Sequence, residues 1–399
     1  MSYMLKEKKK VIVVGGGFAG IETMKNLIKE KGIDPVLFSD KSYFEYYPAL
    51  YRIVTGASPI EVCIPIKDLI PKENFVNEKI SKINPETKEV ETISGQKHKY
   101  DYLVLALGSE TAYFNLPGIE NLAFGFKSVR EATKLKNHIS ELFEEHEHPT
   151  KNELVSHFHI VIVGGGPTGV EVAGDLATHM RKLANKYRVH ESFITIDLIE
   201  SGNRLLKALP EKVSAKVLKR LRRLGINVFL NREMISEEIE EVFLKDMSLR
   251  AKTVIWCAGA SINRLYNEIP GITIENRKVK VGPSLEAEGL KDVFVIGDGA
   301  GTPFSGLAQT AIYDGAFIAS HLARLSRGAK VLVYKPKKNA FAIPVGINWG
   351  VVSYKNFAMF GLPAYLIRHF IDFMFFSGWL KPAKLFGVFI EGWKYRRIK

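Results

Sequence analysis

Two parallel-sheet α/β domains, the first interrupted by the second, are predicted by three features of this 399-residue chain. Residues 11–20 (VIVVGGGFAG) and 160–171 (IVIVGGGPTGVE) each place an apolar β-branched run before G-x-G-x-x-G and a helical apolar pattern after it. A later strand pattern, 292–301 (DVFVIGDGAG), delivers Asp298 into a glycine-rich turn after the second copy is complete. This is the order expected of two Rossmann-like dinucleotide-binding domains, the first split. The expected boundaries are 1–112 with 288–335, then 113–287 for the inserted domain. Residues 336–399 are left as an amphipathic C-terminal segment.

The elements follow in order. The first unit reads as strand 11–14, helix 19–30 and strand 35–38, ending at Ser39-Asp40. Asp40 lies 20 residues past Gly20, where an acid accepts hydrogen bonds from adenosine ribose hydroxyls. Segment 43–51 (YFEYYPALY) has neither strand nor helix periodicity and reads as a loop over a flat ring system, with Pro48 within it. Residues 99–109 read as a strand closing on Gly108, followed by Leu116-Pro117-Gly118, a charged helix over 128–145 and a polar linker at 146–153. The second unit repeats the plan with strand 160–163, helix 169–183 and strand 194–199 ending in Glu200. A basic amphipathic helix at 211–224 and a strand at 253–257, closing on Ala258-Gly259, complete it. A helical pattern over 306–325 follows the Asp298 turn.

Each fingerprint uses its glycines for distinct tasks. Gly15 and Gly164 allow the tight turn, Gly17 and Gly166 let a pyrophosphate approach the backbone, and Gly20 and Gly169 let helix pack on strand. Phe18 and Ala19 lie between the glycines of the first copy. Two such sites in one chain point to two dinucleotides and to electron transfer between them. Glu200 suits a free 2′-hydroxyl and repels a 2′-phosphate, so the second site favours NADH. Arg204 has two readings, a phosphate acceptor or a surface or helix-start charge. Glu171, two residues past Gly169, is either a carboxylate favoured by the helix dipole or a group that orients nicotinamide or relays a proton.

Composition narrows the classes. A hydrophobic share of 46% with 25% charged residues is ordinary for a globular protein. The net charge of +13 asks for an anionic partner, yet no zinc spacing, RNP-type motif or basic repeat marks nucleic-acid binding. Cys63 and Cys257 form no close pair, which excludes a disulfide framework. Histidines such as His179, His190 and His369 are scattered, so no metal site is expected. The opening MSYMLKEKKK leads directly into the first strand without a signal peptide, which favours the cytoplasm or the cytoplasmic face of the membrane.

Residues 362–380 (LPAYLIRHFIDFMFFSGWL) are the most apolar stretch, with Arg368, His369 and Asp372 on one helical face. Burying Arg and Asp at a bilayer centre costs roughly 2.5–3.5 kcal/mol each, which disfavours spanning and favours lying in the interface. From Lys355 onward, eight Lys/Arg face Asp372 and Glu391, a net of +6. With Trp379 and Trp393, this predicts a peripheral, monotopic anchor on an anionic membrane surface. The alternative is a helix that completes the core or forms a homodimer interface.

Taken together, VVGGGFAG, YPALY, YDYLVLALGS, IVGGGPTGVEVAGDL, VIWCAG, VIGD and LAQTAIYDGAFIA resemble the type II NADH:quinone oxidoreductases over residues 11–325. The resemblance implies FAD in the first domain, bound by Gly15, Gly17, Phe18, Ala19, Gly20, Asp40, Pro48, Gly108 and Ala308. Asp298 would reach its ribityl and pyrophosphate part. NADH would occupy the second domain at Gly164, Gly166, Gly169, Glu200 and Gly259, with Glu171 the candidate catalytic group. Hydride would pass from NADH to the flavin and two electrons onward to a membrane quinone, without proton pumping. The family usually carries A-Q-x-A-x-Q around its quinone pocket. Ala308, Gln309 and Ala311 match, and Tyr313 replaces the second glutamine. The rival readings are a sulfide:quinone oxidoreductase, which needs redox cysteines beside the flavin, a soluble ferredoxin or disulfide-type reductase, and a flavin-binding membrane-associated protein with little turnover.

Overall fold

The computed structural model describes residues 8–144 and 155–388. The expected linker 146–153, Trp393, the basic end 394–399 and residues 1–7 lie outside the described residues. The chain forms two compact units. One holds the residues up to Glu45, Cys63–Glu110 and Ala260–Asn339; the other holds Tyr46–Val62, Thr111–Gly259 and the chain from Ala340.

The first unit is built on a five-stranded parallel sheet in the order Val293–Val295, Tyr102–Leu105, Lys9–Val14, Ile33–Phe38 and Phe75–Val76. Val11–Val14 are covered on both faces, which explains their unbroken apolar run. The fingerprint helix Phe18–Leu27 packs on the helix Ala308–Ser326 at Gly315, where a Cβ would lie 2.5 Å from the Ala19 carbonyl oxygen. The chain re-enters this unit at Ala260, earlier than the expected 288. Ile262, Leu265, Tyr266, Ile269 and Val279 pack into the same core as Leu103, Leu105 and Val293, and this burial sets the boundary.

The second unit repeats the topology, in the order Phe124–Gly125, Thr253–Trp256, His159–Val163, Thr195–Glu200 and Asn227–Leu230, all parallel. An antiparallel sheet, Phe341–Pro344, Gly350–Tyr354 and Phe357–Gly361, carries the C-terminal helix Leu362–Trp379. A Cβ at Gly350 would lie 3.3 Å from the Tyr365 Cα, so helix and sheet are closely packed. The C-terminal region up to residue 388 is therefore part of the second unit rather than a separate appendage.

Segment 43–51 is not a loop. Tyr43–Glu45 pairs with Cys63–Pro65, and a single turn Tyr47–Ala49 leads into the short helix Leu50–Val54. Its aromatics are mostly packed within the protein. Phe44 meets Phe18 edge-on at 4.9 Å in the first unit, and Tyr46 lies 4.9 Å from Phe375 and 4.8 Å from Phe376 in the second. Periodicity failed here because the burial comes from distant aromatics rather than from one continuous face.

Candidate functional site

The two glycine turns are built alike. The Gly15 N–H donates to the Phe38 carbonyl and the Gly164 N–H to the Ile199 carbonyl, both at 2.8 Å. Gly15 and Gly164 take φ of +113° and +111°, and a Cβ at Gly15 would lie 2.3 Å from the Ala106 carbonyl oxygen. At Gly20 and Gly169 a Cβ would stand 1.9 Å from the carbonyl oxygen of the first glycine, so nothing larger fits. Gly17 and Gly166 instead face open space. The helices Phe18–Leu27 and Pro167–Tyr187 start there without a side-chain cap and without an acid in the first turn. Each positive helix end is thus left to an outside anion, and a dinucleotide pyrophosphate fits both. Phe18 and Ala19 turn their side chains inward, so what they offer a nucleotide is backbone.

The same bonds align the ends of the two strands that carry the candidate ribose acids. Because Phe38 and Ile199 are equivalent acceptors, Ser39 stands where Glu200 stands, and Asp40 is one residue further on and exposed. Counting from the glycines could not align them, since one fingerprint helix has 10 residues and the other 21.

In the first unit the turn Gly297–Gly299 is held from three directions. Ser109 Oγ donates to Asp298 Oδ2 at 2.6 Å, the Lys278 ammonium donates to the Asp298 carbonyl, and the Gly297 N–H donates to Asp314 Oδ2 at 3.0 Å. Asp298 therefore does not cap its own turn; its partner lies on the segment after Gly108, which takes φ +68°. Burial pushes the Asp314 carboxyl up to about 6, against hydrogen bonds from Tyr334 and Gly297. On the helix Ala308–Ser326, Gln309 is exposed and Tyr313 half-buried, with Ala308 at its first position.

In the second unit Glu200 braces the fingerprint. Its Oε2 accepts from the Gly165 N–H at 2.8 Å and its Oε1 from the Gly202 N–H at 2.7 Å. Arg204 is engaged with the Leu209 carbonyl, Ser214 Oγ and the Lys207 carbonyl at 2.7, 2.9 and 2.8 Å, which favours its structural reading. Gly259 takes φ +119°, and a Cβ there would lie 2.5 Å from the Phe114 ring.

Glu171 sits past the first turn of its helix and has no hydrogen-bond partner among the described residues. A carboxylate favoured by the helix dipole would fall below its usual range. Burial instead pushes Glu171 up to about 8; Asp175 and Asp372 add to this, while Arg368 and Arg52 oppose it. Arg52, Arg368 and Asp372 belong to a buried cluster that the sequence did not disclose. Asp372 accepts from Tyr46 at 2.6 Å, from Arg52 and from Arg368, and Arg368 also donates to the Pro48 carbonyl at 2.6 Å. Despite burial, the two guanidiniums hold the Asp372 carboxyl down to about 2. Pro48 thus contributes its carbonyl to this cluster in the second unit. The signal available in sequence was the Arg368/Asp372 spacing; Arg52, more than 300 residues away, gave none.

The C-terminal helix is oriented opposite to the usual amphipathic plan. Arg368 and Asp372 are only 3% and 1% exposed, whereas Leu362, Leu366, Phe370, Phe373 and Met374 face outward. Among the described residues no helix is long and apolar enough to cross a membrane. Burial raises both thiols, Cys63 to about 12 and Cys257 further, so neither favours the reactive thiolate. Among the described residues no group of three His, Cys, Asp or Glu converges as a metal site.

Residues 9–315 match the model of the pyridine nucleotide-disulphide oxidoreductase family. The type II NADH:quinone oxidoreductase of Staphylococcus saprophyticus is 27% identical over 366 residues, covering 87% of this chain and 90% of that protein. Its namesake in Staphylococcus haemolyticus is 27% identical over 92% of this chain and 95% of its own length. NDH2 from Plasmodium falciparum, solved in complex with NADH, superposes with a TM-score of 0.87 at 20% identity over 98% of both chains. The sulfide:quinone oxidoreductase of Aquifex aeolicus gives a TM-score of 0.79 at 19% identity, covering 92% of this chain and 91% of its own. The chain belongs to the pyridine nucleotide-disulphide oxidoreductase family.

Proposed function

We propose that this chain is a type II NADH:quinone oxidoreductase, taking electrons from NADH through FAD to a membrane quinone. The observation that carries the reading is the pair of uncapped glycine cradles, one in each unit, each fitted to a pyrophosphate. The curated relatives of that name, aligned over nearly the whole chain, support the choice of donor and acceptor.

FAD is assigned to the first unit, where Gly15, Gly17 and Gly20 offer the helix end and Asp298 is fixed by Ser109. When bound, it supplies the hydride-accepting and electron-releasing chemistry that no side chain has. NADH is assigned to the second unit. Glu200 is held by two backbone N–H groups at the strand end, and its charge disfavours an added 2′-phosphate. Glu171 holds a proton at neutral pH and releases it near 8, suited to managing the proton that accompanies quinone reduction. Gln309 and Tyr313 are assigned to the acceptor, each with a group able to donate to a quinone carbonyl.

The outward apolar row of the C-terminal helix is assigned to the bilayer interface, with the basic end drawing the protein to anionic lipid on the cytoplasmic face. A second copy of the chain is the competing occupant; a stable dimer without vesicle binding would favour it. The sulfide:quinone reading is disfavoured by thiols that resist ionisation. Steady-state NADH oxidation by the flavin-loaded protein with a short-chain quinone tests the function, with NADPH and sulfide as comparison donors. Quinone-dependent turnover with NADH is expected. Flavin bleaching by sulfide but not NADH, or no turnover above the oxygen background, would overturn it.

A further inference from the structure

After the helix Ala308–Ser326 the chain turns back and lies along it as a strap. Its contacts descend the helix in order. Arg324 Nε donates to the Lys330 carbonyl at 3.0 Å, and the Leu332 N–H donates to His321 Nδ1 at 3.2 Å. The Tyr334 hydroxyl donates to Asp314 Oδ1 at 2.6 Å, and Asn339 Nδ2 donates to Thr310 Oγ1 at 2.7 Å. Between these last two, the Lys337 ammonium lies 4.0 Å from the centre of the Tyr313 ring, whose centre is 5.6 Å from that of Tyr334.

A tyrosine on an exposed helical turn ordinarily exchanges rotamers on the nanosecond scale. Here the ring is bounded by Tyr334 and covered by a cation, a favourable arrangement because the π face is electron-rich. Lys337 is exposed, so its ammonium keeps its hydration while its stem reaches the ring.

We propose that Lys337 is a positioning residue for the electron acceptor: it fixes the Tyr313 ring beside Gln309 and thereby sets acceptor affinity. The inference rests on the assignment of Gln309 and Tyr313 to a quinone. It adds a determinant outside the helix, on a strap that no glycine or redox motif marks.

The test compares Lys337→Met, which keeps the stem and removes the charge, with Lys337→Arg, which keeps a cation for the ring. Lys335→Met, an exposed charge removed from the same strap, is the control. Lys337→Met is expected to raise KM for a short-chain quinone about two- to fivefold, the scale of an exposed cation–π contact. Its kcat, KM for NADH and melting temperature should match the parent, and Lys337→Arg and Lys335→Met should keep the parental quinone KM. An unchanged quinone KM in Lys337→Met, an equal shift in Lys335→Met, or a parallel shift in KM for NADH would overturn the proposal while leaving the enzyme reading intact. Failure of the unaltered protein to reduce any quinone, with its flavin still bleached by NADH, would overturn the acceptor assignment and this proposal together.

Discussion

Glu22 and Glu171 occupy the same position of the same motif, two residues past the third glycine, and have opposite surroundings. Glu22 Oε1 accepts from Asn26 Nδ2 at 2.9 Å, one turn along its own helix, and a Cβ at Gly315 of the crossing helix would lie 3.0 Å from the Glu22 Cβ. Glu171 has no such local partner. It lies instead among the long-range charges of Arg52, Arg368 and Asp372, with Asp175 one turn along its own helix, and it takes up a proton at neutral pH. The motif fixes where the carboxylate stands; residues outside the motif decide what it can do. Two cradles built on alike glycine turns thus carry carboxylates with different surroundings, one bonded along its own helix and one buried beside a charge cluster.

The largest expected effect breaks the cradles one at a time. Gly20→Val and Gly169→Val each force carbons into a carbonyl 1.9 Å away, an overlap costing roughly 3 kcal/mol or more. Gly20→Val should purify without flavin. Gly169→Val should retain flavin that NADH no longer bleaches, and flavin absorbance separates the two. If both lost flavin equally, the assignment of one nucleotide to each unit would fail.

Next in size is the cluster around Glu171, which the first unit lacks at Glu22. Asp372→Ala would strand the Arg52 and Arg368 guanidiniums without their shared carboxylate, and chemical denaturation should register a loss of about 3–5 kcal/mol. A loss under about 1 kcal/mol, the scale of an exposed ion pair, would show that the cluster is solvated.

A smaller effect is linked to pH. Glu171 rises from 4.5 to about 8 on folding, so the native state keeps a proton that the unfolded chain releases. Its contribution therefore makes stability fall as pH rises across that window and level off above 8. Glu171→Gln should remove that component from the melting-temperature profile. The smallest effect is at Arg204, whose guanidinium is occupied by Leu209, Lys207 and Ser214. Arg204→Ala should cost about 1 kcal/mol of stability and change the NADH-to-NADPH preference less than about twofold.

Both nucleotide units were legible in the sequence because strand, glycine turn and helix are contiguous, and local sterics dictate the glycines. The return to the first unit at Ala260 was not, since Ile262, Leu265, Tyr266 and Ile269 are short apolar insertions whose partners lie near residues 103 and 293. The shared face of Arg368 and Asp372 was visible as a helical spacing, but its direction was not. Arg52, Tyr46 and the Pro48 carbonyl, reached through the fold, hold that charged face inward, while Phe370 and Phe373 face outward. Likewise Asp40 and Glu200 looked equivalent by their place after a strand, and only the backbone bonds of the two turns set Ser39 opposite Glu200.

The most direct measurement is the pH profile of NADH-dependent quinone reduction by the flavin-loaded protein, with and without Glu171→Gln. The parent should turn over quinone and lose rate through an inflection near pH 8 as Glu171 gives up its proton, and the variant should be slower and lack that inflection. An identical inflection in both proteins, or no quinone reduction by the parent at any pH, would contradict the account.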